Sequence, residues 1–195
     1  MRYKTILLFG APGAGKGTQG KILGTIPGFF HCACGDVFRN LRIDHPMGRL
    51  FIEYASKGQL VPDEPTINLW SKNIEAATMH GAFNPERDWL VLDGIPRNQH
   101  QVEMLRDTLD VRALFFLTCS DMDKMVERLQ RRALRENRLD DANLEVIRQR
   151  LEVYDNESRC VIDCYDPKLV HKIDSTASPM QVLRKILDIV SGLEK

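Results

Sequence analysis

The sequence has no excess of either charge: 27 Lys and Arg stand against 27 Asp and Glu in 195 residues. A balanced molecule projects no strong field toward nucleic acid or an anionic membrane, so neither is expected as a partner, and any anion site must come from local clustering. Long apolar runs are missing too. No stretch approaches the roughly 18 residues of a membrane span, and the short apolar run near the N-terminus stops at Gly10 with no small-residue cleavage site after it. These absences imply a soluble, cytoplasmic protein. Cysteine is sparse and unpatterned. Cys32, Cys34, Cys119, Cys160 and Cys164 are odd in number and include no C-x-x-C spacing, which reads as reduced thiols used mostly as core fillers. Internal repeats, low-complexity tracts and linkers are also lacking.

What is present suits one domain over residues 1–195, because a 43% hydrophobic chain of this length can bury a sizeable core. Runs rich in Ile, Val, Leu and Phe recur at 5–9, 89–92, 113–117 and 169–173, with a weaker one at 29–34 between turn residues. Helix-like segments separate them, at 15–23, 36–42, 47–57, 65–80, 121–132, 142–163 and 179–193. Asp36 stands as a cap for the second of these, and Ser178 followed by Pro179 is a start signal for the last. This alternation predicts an α/β fold, a five-stranded parallel sheet between helical layers.

The first run leads into Gly10-Ala11-Pro12-Gly13-Ala14-Gly15-Lys16-Gly17-Thr18, which fits G-x-x-x-x-G-K between a strand and a helix. Glycines let consecutive N–H groups turn inward around phosphate oxygens, and the helix behind them aims its positive end at the same place. Lys16 adds a mobile point charge for the outer phosphates. The residues from Gly13 to Thr18 are therefore the expected donor cradle. The pattern calls for Ser or Thr directly after the lysine to ligate Mg²⁺, but Gly17 stands there and Thr18 comes one place late. Magnesium must then lean on phosphates and waters, and Asp93, at the end of the 89–92 run, is the carboxylate expected to orient those waters.

A transferring phosphoryl group needs charged donors from several directions, and arginines suit this because they bind phosphate bidentately and stay charged. Arg128 and Arg132 are four residues apart and share a helix face, with Arg131, Arg135 and Arg138 close behind. Without the phosphate loop, that segment, balanced only by Glu127 and Glu136, is better read as a solvated basic face.

Four further segments turn these pieces into a resemblance. With GAPGAGKGTQ at 10–19, the chain has CGDVFR at 34–39, GQLVPD at 58–63, LVLDGIPRNQHQ at 90–101 and NRLDD at 137–141. In order and spacing these resemble the adenylate kinases, among the nucleoside monophosphate kinases, over almost the whole chain. The resemblance implies a P-loop kinase fold with two mobile parts, a monophosphate-binding insertion at about 33–62 and a short lid at about 131–141. It implies ATP, AMP and ADP as ligands, Mg²⁺ with ATP, and a monomer. No cysteine lies between Arg128 and Asp141 to hold the structural zinc of longer-lid members, so zinc is not expected. Cys160 and Cys164 share a helix face, and core packing is the preferred reading of that pair.

Residue by residue, the resemblance gives Arg128 to the donor adenine, Arg132 to its phosphates, and Arg138 and Arg150 to both nucleotides. Lys16, Arg97, Arg132, Arg138 and Arg150 become the expected catalytic set, while Arg131 and Arg135 remain surface charges. Arg39 and Arg97 match the arginines that grip the monophosphate. Gln59, Leu60, Val61, Gly94, Ile95, Pro96 and Gln101 fall at acceptor-site positions, as does Cys34, where the family usually has Thr or Ser. A thiol is the weaker hydrogen-bond partner, so one base contact is expected to be weakened, and Cys34→Thr to lower the KM for AMP. Pyrimidine-specific relatives have Ala at that position and Asn in place of Gln101, so Gln101 favours AMP over CMP or UMP. No general base is required, since a phosphate monoester with its second pKa near 6 already presents a charged nucleophile. A P-loop switch module, or an inactive family member kept as a scaffold, are the readings from other classes. The second nucleotide implied by DGIPR and the arginine-rich segment stands against the first, and the intact set of Lys16, Arg39, Asp93, Arg97, Arg132 and Arg138 against the second.

Overall fold

The structure is a computed structural model that describes residues 2–42, 44–136 and 138–193. Five parallel strands, β1 (Tyr3–Phe9), β2 (Phe29–Ala33), β3 (Trp89–Asp93), β4 (Leu109–Thr118) and β5 (Val170–Asp174), form one sheet in the order β2-β3-β1-β4-β5. The helices are α1 (Lys16–Leu23), α2 (Cys34–Arg39), α3 (Pro46–Ala55), α4 (Asp63–Met79), α5 (Gln99–Leu105), α6 (Met122–Glu136), α7 (Leu144–Val153) and α8 (Pro179–Leu193).

The strands are apolar on both faces because both are covered, as a parallel sheet requires. Alternation along each strand sorts the side chains. Leu7, Phe9, Leu90, Leu92 and Leu114 join one core with Phe38 of α2, Trp70 and Ile74 of α4, and Leu105 of α5. Their neighbours Ile6, Leu8, Val91, Ala113 and Phe115 join the opposite core with Leu23 of α1 and Val182, Ile186 and Val190 of α8. A third cluster, Met125 and Leu129 of α6 with Ile147 and Leu151 of α7, packs against Ala11 of the loop after β1. Helices therefore clamp the phosphate loop from outside the sheet.

The α8 bounds match the expected ones. Ser178 and Gln181 cap the helix reciprocally: the Gln181 N–H donates to Ser178 Oγ at 3.3 Å and the Ser178 N–H to Gln181 Oε1 at 3.0 Å. Four expectations need correction. The second helix starts at Cys34 with Ala33 as its cap residue, so Asp36 lies in the first turn, where its carboxylate faces the helix dipole and pairs with arginines instead of capping. The helix expected over 142–163 is α-helical only to Val153, then widens to a π-turn at Tyr154–Ser158 and tightens to a 3₁₀ segment at Arg159–Cys164. The helix expected to end at residue 132 continues to Glu136, through the first half of the expected lid. Helix α5 was not foreseen; Asn98 caps it, accepting the Gln101 N–H at 2.8 Å. Asn137, first residue of NRLDD, lies outside the described residues.

Gly10 directly follows β1 with φ of 144°, and a Cβ there would sit 2.4 Å from the Leu117 carbonyl of β4. That oxygen is backbone in the middle of the sheet and cannot swing away. Gly10→Ala is expected to cost about 3 kcal/mol, a fall in melting temperature of about 6–12 °C for a chain of this size. Thermal unfolding followed by far-UV circular dichroism measures it.

Candidate active site

Because all five strands run the same way, their C-terminal ends share one edge, and β1 lies at the centre with β3 and β4 on either side. Loops leaving neighbouring strands diverge there and leave a crevice, where open parallel sheets hold ligands. The cleft at that edge has a volume of about 700 Å³.

On one side is the loop from Gly13 to Thr18, all six residues lining the cleft. Lys16 Nζ is folded back over it, donating to the carbonyls of Gly10 at 2.7 Å and Ala11 at 3.1 Å. Burial lowers the Lys16 pKa to about 8; Asp93 opposes the change, and Arg97, Arg132 and Arg150 add to it. Asp93, the last residue of β3, lines the same wall, and a Cβ on Gly17 would stand 3.4 Å from its Oδ2. The missing side chain at Gly17 thus leaves the carboxylate open toward the phosphate loop. Arg128 crosses behind the loop, donating to the Ser175 carbonyl at 2.8 Å.

On the opposite side Gln59, Leu60 and Val61 form a wall ahead of α4, with Gly94, Pro96, Arg97 and Arg39 beside them. Between the two sides lie Arg132, Arg138 and Arg150. The arginines are positioned by carboxylates. Arg39 reaches Asp140 at 2.9 Å and Asp36 at 3.2 Å; Arg138 reaches Asp36 at 3.0 Å and Glu136 at 2.6 Å. Arg132 Nε donates to Asp141 at 2.7 Å, and Arg150 contacts both Asp140, at 2.9 Å, and Asp141. Burial would raise the Asp140 pKa, but Arg150 and Arg39 outweigh it and hold the carboxyl below its usual range. Asp141 is 0% exposed and is held between the two arginines Arg132 and Arg150.

Three expected acceptor residues do not line the cleft: Cys34, Ile95 and Gln101. Cys34 is packed in the core with its thiol pushed up to about 11 by burial, so it is neutral. Arg131 and Arg135 lie at the cleft rim, Arg131 paired with Glu127 at 2.5 Å. Sequence reasoning quoted Asp140 and Asp141 within NRLDD without giving them a task; their signal was two adjacent acids inside an arginine-rich segment. It also passed over Asp63, Asn98 and His100, whose partnership spans 35 to 37 residues of chain. Among the described residues no group of three or more His, Cys, Asp or Glu could hold a metal ion, and no helix is long and apolar enough to cross a membrane.

A phosphate loop at the centre of a parallel sheet, faced across one cleft by arginines gathered from three helices and two loops, defines a phosphotransferase with a phosphate group as acceptor. Residues 8–170 match the family model described as adenylate kinase. The chain is 34% identical to the adenylate kinase of Kocuria rhizophila, over 93% of this chain and 96% of that protein, and 35% identical to that of a Cyanothece species, over 97% and 96%. It is also 32% identical to the UMP-CMP kinase of Sus scrofa, over 97% of each chain. The chain belongs to the adenylate kinase family.

Proposed function

We propose that the protein catalyses reversible transfer of the terminal phosphoryl group of MgATP to AMP, giving two ADP. The observation that carries this reading is the two-ended charge of the cleft: Lys16 with its loop at one end, Arg39 and Arg97 at the other, and three arginines between. A switch module binding one nucleotide has no use for the second end. In this reading the donor phosphates replace the carbonyls now held by Lys16, and the AMP phosphate lies between Arg39 and Arg97. Arg132, Arg138 and Arg150 then neutralise the charge that spreads over the transferring group. The AMP oxygen attacks in line as an anion, so no residue has to remove a proton.

Magnesium fits the donor set. One open carboxylate facing the phosphate loop is what an ion needs when phosphates and waters supply most of its six ligands, so Asp93 would hold it through water. Bound there, it would offset charge on the outer phosphates. The segments at about 33–62 and 131–141 close over the two nucleotides, excluding water that would otherwise hydrolyse ATP.

AMP as acceptor rests on Gln101, the family's residue at that site where pyrimidine-specific relatives have Asn. CMP or UMP is the second reading, favoured by the UMP-CMP kinases among the relatives. A coupled assay of ADP formation from MgATP with AMP, CMP, UMP and GMP in turn decides between them. The expected result is a kcat/KM for AMP above that for CMP by about 10²-fold or more. Faster turnover with CMP transfers the assignment to the pyrimidine acceptors, and ATP binding without acceptor-dependent turnover favours the switch or scaffold.

A further inference from the structure

The segment that joins β5 to α8 also lines the cleft, through Ser175, Ala177 and Pro179. It stands on the phosphate-loop side, since Arg128 reaches the carbonyls of both Gly13, at 3.5 Å, and Ser175, at 2.8 Å. A donor with its outer phosphates at Lys16 places its nucleoside against this segment, because the wall of Gln59, Leu60 and Val61 belongs to the acceptor end.

A connecting segment keeps one shape only where its polar groups have partners. Here the partners come from other helices. Lys124 Nζ of α6 donates to the Thr176 carbonyl at 3.1 Å, and Arg128, one turn further along the same helix face, holds the Ser175 carbonyl. Gln19 Nε2 of α1 donates to the Pro179 carbonyl at 3.0 Å, across 160 residues of chain. Closer ties complete the set. The Asp174 carboxylate accepts the Thr176 N–H at 2.8 Å and its hydroxyl at 2.7 Å, and the Ser175 hydroxyl donates to the Thr118 carbonyl at 2.9 Å. Ala177 lies between these anchors and lines the cleft, so the ties hold in place the stretch that a ligand meets.

Gln19 ends the GAPGAGKGTQ motif, and neither the phosphate loop nor the arginines account for it. The residue is 2% exposed, and the bond to Pro179 is the one its amide makes among the described residues. Lys16 is the first residue of α1 and Gln19 lies one turn on, so a single helix carries the phosphate-binding ammonium and the amide that secures the neighbouring wall. Lys124 is not among the residues lining the cleft. Its effect on a ligand must pass through the Thr176 carbonyl.

We propose that Lys124 and Gln19 are positioning residues of the donor site, holding segment 175–179 from α6 and α1 so that the nucleoside half of the donor meets a preformed wall. The proposal rests on the phosphotransferase reading above and divides the donor in two: the loop holds the phosphates and the tied segment holds the nucleoside. Losing either tie leaves a wall that has to be ordered when the donor binds, which weakens affinity without touching the phosphate contacts.

Titration calorimetry with Mg²⁺ compares ATP with inorganic tripolyphosphate, which has the phosphates and lacks the nucleoside, on the wild type, Lys124→Met, Lys124→Arg and Gln19→Met. The expected result is a rise in the Kd for ATP of about fivefold in Lys124→Met and Gln19→Met, with the Kd for tripolyphosphate unchanged in both. Lys124→Arg keeps a donor for the Thr176 carbonyl and binds ATP as the wild type does. In turnover the KM for ATP rises by the same factor, while kcat and the KM for the acceptor change far less. A role confined to packing, felt by the phosphate loop through α1 or α6, weakens tripolyphosphate as much as ATP, and that outcome overturns the proposal. An unchanged Kd for ATP in Lys124→Met overturns it too, as does a wild-type protein that binds ATP no tighter than tripolyphosphate. Lys124 is only partly buried, so its variants decide the matter even where Gln19→Met fails to fold. Should the wild type show the expected preference for ATP yet transfer to no acceptor, the functional reading fails and the positioning role stands.

Discussion

Arg132→Met is expected to lower kcat by about 10³-fold while leaving the fold intact. Arg132 sits in the last turns of α6 with Nε on Asp141, and its Nη2 lies 2.6 Å from the same carboxylate oxygen without making an aligned hydrogen bond. That nitrogen is held in place yet free to donate, which suits a group that must meet charge appearing only in the transition state. Asp141 keeps Arg150 after the substitution, so no buried carboxylate is left unpaired and the melting temperature is expected to change little. The loss therefore falls on kcat, about 4 kcal/mol of transition-state stabilisation, with the KM for ATP much less affected. Arg132→Lys restores little, because an ammonium cannot hold Asp141 and a phosphoryl oxygen in one plane. Single-turnover measurements separate the chemical step from product release. A variant retaining more than a tenth of the wild-type single-turnover rate would remove Arg132 from the transition state.

The same carboxylates describe the cleft without phosphate. Arg138 on Asp36 and Arg39 on Asp140 join the segment after α6 to helix α2 across the cleft, and Glu136 lies 3.6 Å from Lys21 of α1. Arg39, Arg132, Arg138 and Arg150 already have carboxylate partners whose oxygens resemble those of a phosphate in charge and reach, while Arg97 and Arg128 donate to the backbone carbonyls of Gly94 and Ser175. Nucleotide binding in the proposed reaction is then an exchange of partners, and the guanidinium groups are oriented before the ligand arrives.

Local patterns made some of this architecture legible and long-range partnerships hid the rest. The phosphate loop could be read because strand, glycines, lysine and helix are contiguous, and α8 because Ser178, Pro179 and Gln181 are. Strand cores were found where both faces are apolar, but the ends of β4, Leu109–Thr118, were shortened because Asp110 and Arg112 interrupt the run. Helix α5 was missed for a related reason. Its first residues, Gln99, His100 and Gln101, are polar and carry no period, and its apolar positions are only Val102, Met104 and Leu105. The π-turn after α7 leaves no local mark at all. The arginines given by motif position line the cleft, but the carboxylates that aim them could not be read from the motifs, since Asp36 and Arg138 are 102 residues apart. Gln101 shows the limit most clearly: its position agrees with a base-side residue, while its partners, Asp63 and Arg97, can be known only from the folded chain.

Lys16→Met is expected to lower kcat/KM for the donor by about 10³-fold and to change how activity depends on pH. In the free protein the ammonium is committed to the Gly10 and Ala11 carbonyls, and burial brings its pKa to about 8. Donor phosphates need the charged form and, once bound, raise that pKa again, so binding above pH 8 takes up a proton. The sign follows: the KM for ATP is flat below pH 8 as far as this group is concerned, then climbs by about tenfold per pH unit. Stability moves the other way. The folded pKa lies below the unfolded value of 10.5, so between pH 8 and 10.5 the unfolded chain binds more protons, and the free protein gains stability as pH rises through that window. Methionine fills similar volume without a charge, so Lys16→Met loses both slopes together, the rising KM and the rising stability. Titration calorimetry in two buffers of different ionisation enthalpy reads the proton uptake directly at pH 8.5. Equal heats in both buffers would mean that Lys16 is fully charged before the donor binds, and would leave the alkaline rise in KM to another group.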